Sequence, residues 1–136
     1  MIFGLGNDIV DIRRMEQLYL RYGERLRRLI FTDNEWAISK SKKDKVCFFA
    51  KRFAAKEALV KALGTGFGQT EGIVWRDIDV SNNESGKPGV LLRGKAFKYM
   101  GRILTEYGGC EHFIHLSLSD EFPYAIASVI IELVRK

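Results

Sequence analysis

The chain has 136 residues, a length that suits one domain, and 46% of them are hydrophobic, so a proper core is available. The net charge of +5 favours an anionic partner, such as nucleic acid, a phosphorylated small molecule or an acidic protein. Composition alone, however, favours the simpler interpretation of a soluble basic surface.

The sequence argues against a membrane-spanning protein and against a secreted one. The chain has no apolar stretch long enough to cross a bilayer. Its N-terminal segment MIFGLGNDIVD carries acids where a signal peptide has a basic and then an apolar run. The two cysteines, Cys47 and Cys110, form no CxxC pair and lie among apolar neighbours, which is typical of reduced thiols. We therefore predict a single cytoplasmic domain over residues 1–136.

The first half of the chain is mainly helical in pattern. Apolar spacing and capping residues predict a strand over 2–6, a helix from Ile9 to about Tyr22, a helix N-capped by Asp33, and a long helix from Lys45 to Leu63. The long helix runs into Gly64-Thr65-Gly66, which is a helix stop.

The second half is mainly strand-like. Alternating apolar residues predict strands over 74–80 and 90–93 around a turn at 82–89, a helix over 95–107, and a final hairpin of strands 111–119 and 124–133. Because helices are grouped early and antiparallel strands late, we predict an α+β fold with a long central helix on a small antiparallel sheet. The apolar final hairpin must be covered by the domain or form an oligomer interface.

The long helix places an acid where its pattern predicts core. On a helical wheel Glu57 falls between Val46 and Ala50 in a broad apolar arc, and Lys61 follows one turn later. A carboxylate removed from water costs several kcal/mol unless it is paired or binds a metal. Arg52 and Lys56 lie on another side of the helix, where a solvated face is the common case.

Two alternatives remain open for the acids. Asp8 could cap a helix beginning near Ile9, or it could join Glu57 as a ligand of Mg²⁺, which typically takes one or two protein carboxylates. Glu57 and Lys61 could be a simple ion pair between residues four apart, although its position in an apolar arc counts against an exposed pair.

A basic stripe on the first helix is a further candidate site. Arg14, Arg21, Arg25 and Arg28 recur at three-, four- and seven-residue spacing, so one helix face would carry a row of guanidinium groups. Such a row could bind either nucleic acid or an acidic protein helix. The sequence has no evident activated nucleophile, so an enzymatic reaction would use a nucleophile carried by a substrate.

Three segments together resemble the holo-acyl-carrier-protein synthase family, the small phosphopantetheinyl transferases. They are GLGNDIVDI at 4–12, RFAAKEALVKALGTG at 52–66 and NESGKP at 83–88, with weaker support from HLSLSD at 115–120 and YAIASVIIE at 124–132. Their order and spacing agree over nearly the whole chain.

The resemblance implies transfer of the 4′-phosphopantetheine arm of coenzyme A to a serine of apo-acyl carrier protein, as in fatty acid biosynthesis, with release of adenosine 3′,5′-bisphosphate. It implies Mg²⁺ on Asp8 and Glu57, and contact of Lys61 with the transferring phosphate. It also places Arg52 and Gly86-Lys87-Pro88 near the nucleotide end of coenzyme A. Glu57 through a water is the candidate acceptor for the serine proton.

The resemblance further implies a homotrimer with active sites between subunits. An acidic carrier protein would dock on the basic first helix, so the stripe is assigned to a protein partner and not to nucleic acid or membrane. Some relatives have histidine where this chain has Asp120, so no role of that histidine transfers here. The alternative function is a non-catalytic basic α+β module that binds RNA or an acidic protein.

Overall fold

The computed structural model describes residues 1–68 and 71–136. In chain order its elements are β1 (Ile2–Asp11), α1 (Ile12–Tyr22), α2 (Arg25–Leu29), α3 (Asp33–Ser39), α4 (Lys45–Leu63), β2 (Ile78–Asn82), β3 (Pro88–Leu92), α5 (Gly94–Glu106), β4 (Glu111–Glu121) and β5 (Tyr124–Val134). β1, β5 and β4 form one antiparallel sheet in that order, and β2 and β3 form a second, two-stranded one. The predicted α+β class is confirmed. Among the described residues, no helix combines the length and the apolar character that crossing a membrane requires.

The first strand is longer than predicted. Residues 9–11 continue β1 and pair with β5 up to Asp11, opposite Tyr124, so the predicted helix start at Ile9 is wrong. The N-cap of α1 is Asp11, whose carboxylate accepts from the backbone N–H of Arg13 at 2.9 Å. Residues 9–11 are extended because they pair with β5, and the local sequence pattern carries no information about this distant partner.

The N-cap of α3 is also displaced by one residue. Thr32, and not Asp33, accepts from the backbone N–H of Glu35, while Glu35 accepts from the backbone N–H of Thr32. This reciprocal pair is a capping box, which satisfies two of the N–H groups at the start of a helix.

Helix α4 has the predicted bounds, but it is buried on nearly every side. Its buried positions include Phe49, Arg52, Lys56 and Leu59, which are spread around the helix axis. The solvated face predicted for Arg52 and Lys56 is therefore wrong. Arg52 and Lys56 are covered by α3, β2 and the connections that lead to α3 and β2, whereas Lys61 remains exposed.

Two glycines let β1 lie directly against α4. A Cβ atom at Gly6 would be 1.9 Å from the carbonyl oxygen of Ala58, and one at Gly4 would be 1.8 Å from that of Ala62. Only glycine allows this approach of the two backbones. The consequence is that Asp8, two residues after Gly6 on the same strand, is held beside α4.

The second half follows the predicted order with shifted bounds. Residues Trp75–Asp77 form a 3₁₀ turn and not the predicted strand, so β2 begins only at Ile78. The final hairpin is longer than predicted: β4 continues to Glu121, and β5 begins at Tyr124 and continues to Val134.

One face of the three-stranded sheet packs on α4, and the other is exposed. Alternate residues of β5 from Ala125 to Leu133 are buried on the inner face. We call the opposite side the outer face; its exposed apolar side chains are Leu5, Ile9, Phe113, Ile126 and Ile130. Leu5 pairs across the sheet with Ile130, and Ile9 with Ile126, so these side chains form an apolar patch that the Asn7–Ser128 pair divides.

Candidate active site

Asp8 and Glu57 line the same cavity, which has a volume of about 210 Å³ and lies between β1, α1 and α4. Asp8 pairs with the buried Ala127 and therefore points to the α4 side of the sheet, where its side chain is only 16% exposed. Because Asp11 and not Asp8 caps α1, the capping alternative for Asp8 is wrong. The tertiary fold thus brings together the two acids that the sequence separates by most of its first half.

The carboxyl group of Glu57 is held in a partly desolvated position. Burial raises its pKa, and the neighbouring Asp8 carboxylate raises it further, whereas the hydrogen bond from Trp75 and the charge of Lys61 lower it. The indole Nε1–H of Trp75 donates to Oε1 of Glu57 at 3.2 Å. Two acids that repel each other in one cavity favour binding of a cation there.

Lys61 also belongs to this site, and it forms its ion pair with Asp8. Its ammonium lies 3.1 Å from Oδ1 of Asp8 and donates to the backbone carbonyl of Asn7 at 2.9 Å. The simple ion pair with Glu57, which the spacing of four residues allowed, is not the contact that Lys61 makes. The predicted trio is brought together, with the lysine bridging the strand and the helix.

The donor set fits a hard divalent cation with few protein ligands. Within residues 1–68 and 71–136, no three or more His, Cys, Asp or Glu side chains form a group that could hold a metal by themselves. Two carboxylates on one cavity nevertheless match Mg²⁺, which takes one or two protein carboxylates and completes its octahedron with water and phosphate oxygens. The chemistry of Asp8 and Glu57 therefore suits Mg²⁺ together with a phosphorylated substrate.

A second cavity, of about 350 Å³, carries most of its charge as basic groups. Its lining residues include Lys42, Lys43, Lys51, Arg52, Asn82 and Asp120. Arg52 is buried, with 4% exposure, and burial lowers its pKa. Its guanidinium stacks over the ring of Phe48 at 4.3 Å, and its Nε has no hydrogen-bond partner among the described residues. A buried cation with a spare donor is suited to an anionic ligand.

The turn between β2 and β3 is connected to this cavity through Asn82. The Asn82 side chain accepts from Arg52 at 2.7 Å and donates to the carbonyl of Gly86 at 2.8 Å. The backbone N–H of Lys87 donates to the side chain of Asn83, which fixes the turn that leads to Pro88. Arg52 and the predicted Gly86-Lys87-Pro88 turn are thus brought together by a residue that sequence reasoning did not single out.

Asp120 adds a negative charge to the basic cavity. Its Oδ1 lies 3.1 Å from Nζ of Lys51, and both groups are partly exposed. The pair offsets one of the lysine charges that would otherwise face a ligand.

The basic stripe is interrupted, which corrects the single-helix prediction. Helix α1 ends at Tyr22, and Gly23 turns the chain with φ +52°, so Arg25 and Arg28 belong to α2. Arg25 donates to backbone carbonyls of the preceding turn. Arg14 lines the cavity that also contains Asp8 and Glu57. The four arginines, which we call the basic end, are thus divided between two helices, and Arg21 and Arg25 both lie over the ring of Tyr22.

The comparisons with known proteins agree with this geometry. Residues 4–127 match the family described as the 4′-phosphopantetheinyl transferase superfamily, and the chain belongs to that family. The resemblance extends to one branch of it. The holo-[acyl-carrier-protein] synthase of Brucella ovis is 48% identical over 132 residues, covering 97% of this chain and 96% of the relative.

Solved structures support the same assignment. The holo-[acyl-carrier-protein] synthase from Neisseria meningitidis has a TM-score of 0.80 and 33% identity, covering 97% of this chain and 99% of its own. The protein from Bacillus anthracis, solved in complex with CoA (3′,5′-ADP), has a TM-score of 0.75 and 34% identity, covering 97% of each chain. The predicted family resemblance and fold are confirmed.

Proposed function

We propose that this chain is a holo-[acyl-carrier-protein] synthase, which transfers the 4′-phosphopantetheine arm of coenzyme A to a serine of apo-acyl carrier protein. The observation that carries the proposal is the convergence of Asp8 and Glu57 on one cavity, with Lys61 bound to Asp8. This arrangement suits phosphoryl transfer, in which catalysis consists mainly of positioning and of stabilising negative charge. The acceptor serine belongs to the carrier, which agrees with the lack of an evident nucleophile in this chain.

Asp8 and Glu57 would hold Mg²⁺ in this cavity. When bound, the ion would neutralise charge on the pyrophosphate of coenzyme A and on the leaving bisphosphate. Lys61 supplies a further positive charge beside Asp8, where negative charge develops during transfer. Glu57 accepts the proton of the serine hydroxyl through a water molecule, a role that its place on the cavity wall allows.

The nucleotide end of coenzyme A binds in the basic cavity of Arg52. The buried guanidinium with its unpartnered Nε supports this placement, as does the link through Asn82 to Gly86-Lys87-Pro88. Lys61 then contacts the phosphate that is transferred, at the other end of the diphosphate. Asp120 reduces the positive charge of this cavity by pairing with Lys51.

The chain works as a homotrimer whose subunits cover the outer face of the sheet. Exposed Leu5, Ile9, Ile126 and Ile130 form an apolar patch of the kind that oligomer interfaces bury. A shallow cavity joins this patch to the site, since Asp8 and Lys61 line it together with Ile9 and Ile126. A subunit placed on the outer face would thus adjoin the transfer site, and the enzyme would act in the cytoplasm in fatty acid biosynthesis.

A direct test is to mix the protein with apo-acyl carrier protein, coenzyme A and Mg²⁺ and to weigh the carrier by mass spectrometry. We expect the carrier to gain the mass of one phosphopantetheine arm, and the gain to disappear when the metal is removed by a chelator. A carrier that binds but keeps its mass would refute the transferase and favour the non-catalytic binding module. Transfer that continues at full rate without metal would refute the role of Mg²⁺.

The basic end formed by Arg14, Arg21, Arg25 and Arg28 docks the acidic carrier protein. Arg21 is the best place to test this docking, because it is exposed and does not line the Asp8 cavity. We expect Arg21→Glu to raise the KM for carrier protein by roughly 10-fold, equivalent to about 1.4 kcal/mol, and to leave the KM for coenzyme A nearly unchanged. Initial-rate kinetics with each substrate varied in turn would measure both constants.

Lys98→Glu provides the matched control for this docking experiment. Lys98 is exposed on α5, and its reversal changes the net charge of the protein by the same amount. We expect it to have little effect on either KM. If Arg21→Glu raised the two KM values equally, or Lys98→Glu had the same effect, docking at the basic end would be wrong.

A further inference from the structure

Trp75 is held at both ends by consecutive residues of α4. Its indole Nε1–H donates to Oε1 of Glu57 at 3.2 Å, and its backbone carbonyl accepts from Nζ of Lys56 at 3.1 Å. Since Lys56 and Glu57 are adjacent in the chain, one turn of α4 determines both contacts. Trp75 itself starts the 3₁₀ turn that precedes β2.

The indole ring also stacks on two other rings. Phe67 stacks on Trp75 with a centroid distance of 4.7 Å and an interplanar angle of 28°, and Phe53 stacks with 6.1 Å and 26°. Rotation of the indole about its side-chain torsions would break both stacks. The ring plane, and with it the direction of the N–H bond, is therefore fixed by packing.

The lysine that holds the Trp75 carbonyl is anchored in the core. Lys56 is fully buried and pairs with Oε1 of the equally buried Glu35 at 2.7 Å. It also donates to the carbonyl of Ile30 at 2.7 Å. The backbone of Trp75 is thus held by a buried network of Lys56 and Glu35, and neither of these residues lines the Asp8 cavity.

We propose that Trp75 is a positioning residue that orients the carboxylate of Glu57 in the cavity it shares with Asp8. This inference rests on the proposed function, in which Glu57 binds Mg²⁺. A hydrogen bond to one carboxylate oxygen fixes the rotation of the carboxyl plane, and outer contacts of this kind are typically worth 10- to 100-fold in metal affinity or activity. The indole carries no net charge, so it orients the carboxylate without replacing the cation, and the same hydrogen bond lowers the pKa of Glu57.

The contact itself is tested first in the metal-free protein by nuclear magnetic resonance. The chain has two tryptophans, Trp36 and Trp75, so two indole N–H signals are expected, and Trp75→Phe assigns them. We expect Glu57→Ala to shift the Trp75 signal and speed its exchange with solvent, and Glu106→Ala to leave it in place. An unchanged Trp75 signal in Glu57→Ala would overturn the proposal.

The consequence is tested with Trp75→Phe, which keeps an aromatic ring in contact with Phe53 and Phe67 and removes the donor. We expect Mg²⁺ affinity, measured by calorimetry with coenzyme A present, and kcat each to fall by about 10-fold or more. The KM for carrier protein should stay within about 2-fold of the wild-type value. Unchanged Mg²⁺ affinity and kcat in this variant would refute the positioning role.

Trp36→Phe is the matched control because it is the same substitution at a buried site. Trp36 stacks on Phe49 in the aromatic core and does not line the Asp8 cavity. We expect it to lower the urea midpoint of unfolding without changing Mg²⁺ affinity or kcat; an equal loss of both in Trp36→Phe would overturn the proposal. A wild-type protein that neither binds Mg²⁺ nor modifies the carrier would instead refute the proposed function, so the two failures are distinguishable.

Discussion

Glu57→Gln is expected to reduce phosphopantetheine transfer by about 10³-fold or more while the protein stays folded. The amide keeps the shape of the side chain and an oxygen that can accept from Trp75, but it loses the charge that would bind Mg²⁺. Mass spectrometry of the carrier over time, at saturating coenzyme A and Mg²⁺, measures the loss. The substitution removes a function and leaves the surrounding packing in place.

The same substitution should not destabilise the protein. Burial raises the pKa of Glu57, and repulsion from Asp8 raises it further, so the ionised carboxylate is an unfavourable group in the metal-free protein. We expect the free energy of unfolding of Glu57→Gln to equal or slightly exceed that of the wild type. Glu106→Gln, at the exposed end of α5, is the matched control and should leave both transfer and stability unchanged. Near-normal turnover of Glu57→Gln with Mg²⁺ present would contradict the metal role.

Lys56→Met is expected to lower the free energy of unfolding by about 3–5 kcal/mol. Lys56 and Glu35 are both fully buried and lie 2.7 Å apart, so removal of the cation leaves a carboxylate without its charge partner inside the protein. Burial raises the pKa of Glu35 and lowers that of Lys56, and the opposite charge of the partner counteracts each shift. Urea unfolding followed by circular dichroism would measure the effect.

A double-mutant cycle distinguishes this cause from a general loss of packing. Glu35→Gln together with Lys56→Met removes both charges, so the combined loss should be smaller than the sum of the single losses by about 0.5–3 kcal/mol. Lys98→Met, at an exposed position of α5, should change stability by less than about 0.5 kcal/mol. Strict additivity of the two core substitutions would show that the buried charges do not interact.

Local signals in the sequence predict most of the elements, and they single out Asp8 and Glu57, which the structure places on one cavity. The bounds of α4 follow from a long apolar pattern that ends at glycines, and they agree with the structure. Glu57 stands out in the sequence because its carboxylate falls in an apolar arc, with Lys61 one turn later and Asp8 as a possible second metal ligand, and the family resemblance implies a role for each. Local signals failed at Ile9, where pairing with β5 overrode the helical apolar spacing, and at Trp75, where a 3₁₀ turn replaces the strand predicted from alternation.

The burial of Arg52 and Lys56 is the clearest case that the sequence could not decide. A helical wheel reports which residues share a face, but it contains no information on what lies opposite each face. Here Glu35, Asn82 and the carbonyl groups of Ile30 and Trp75 supply partners from distant parts of the chain. Those partners make burial of the two cations possible, so their state depends on the assembled fold.

The sequence by itself determined the α+β class, the family, and the acids and lysine that the proposed chemistry uses, because these depend on residue type, order and local periodicity. Only the tertiary structure decided that Lys61 binds Asp8, that Arg52 faces a basic cavity with a spare donor, and that Trp75 holds Glu57. Each of these contacts joins residues 18 or more positions apart, or depends on a buried environment that no local pattern encodes.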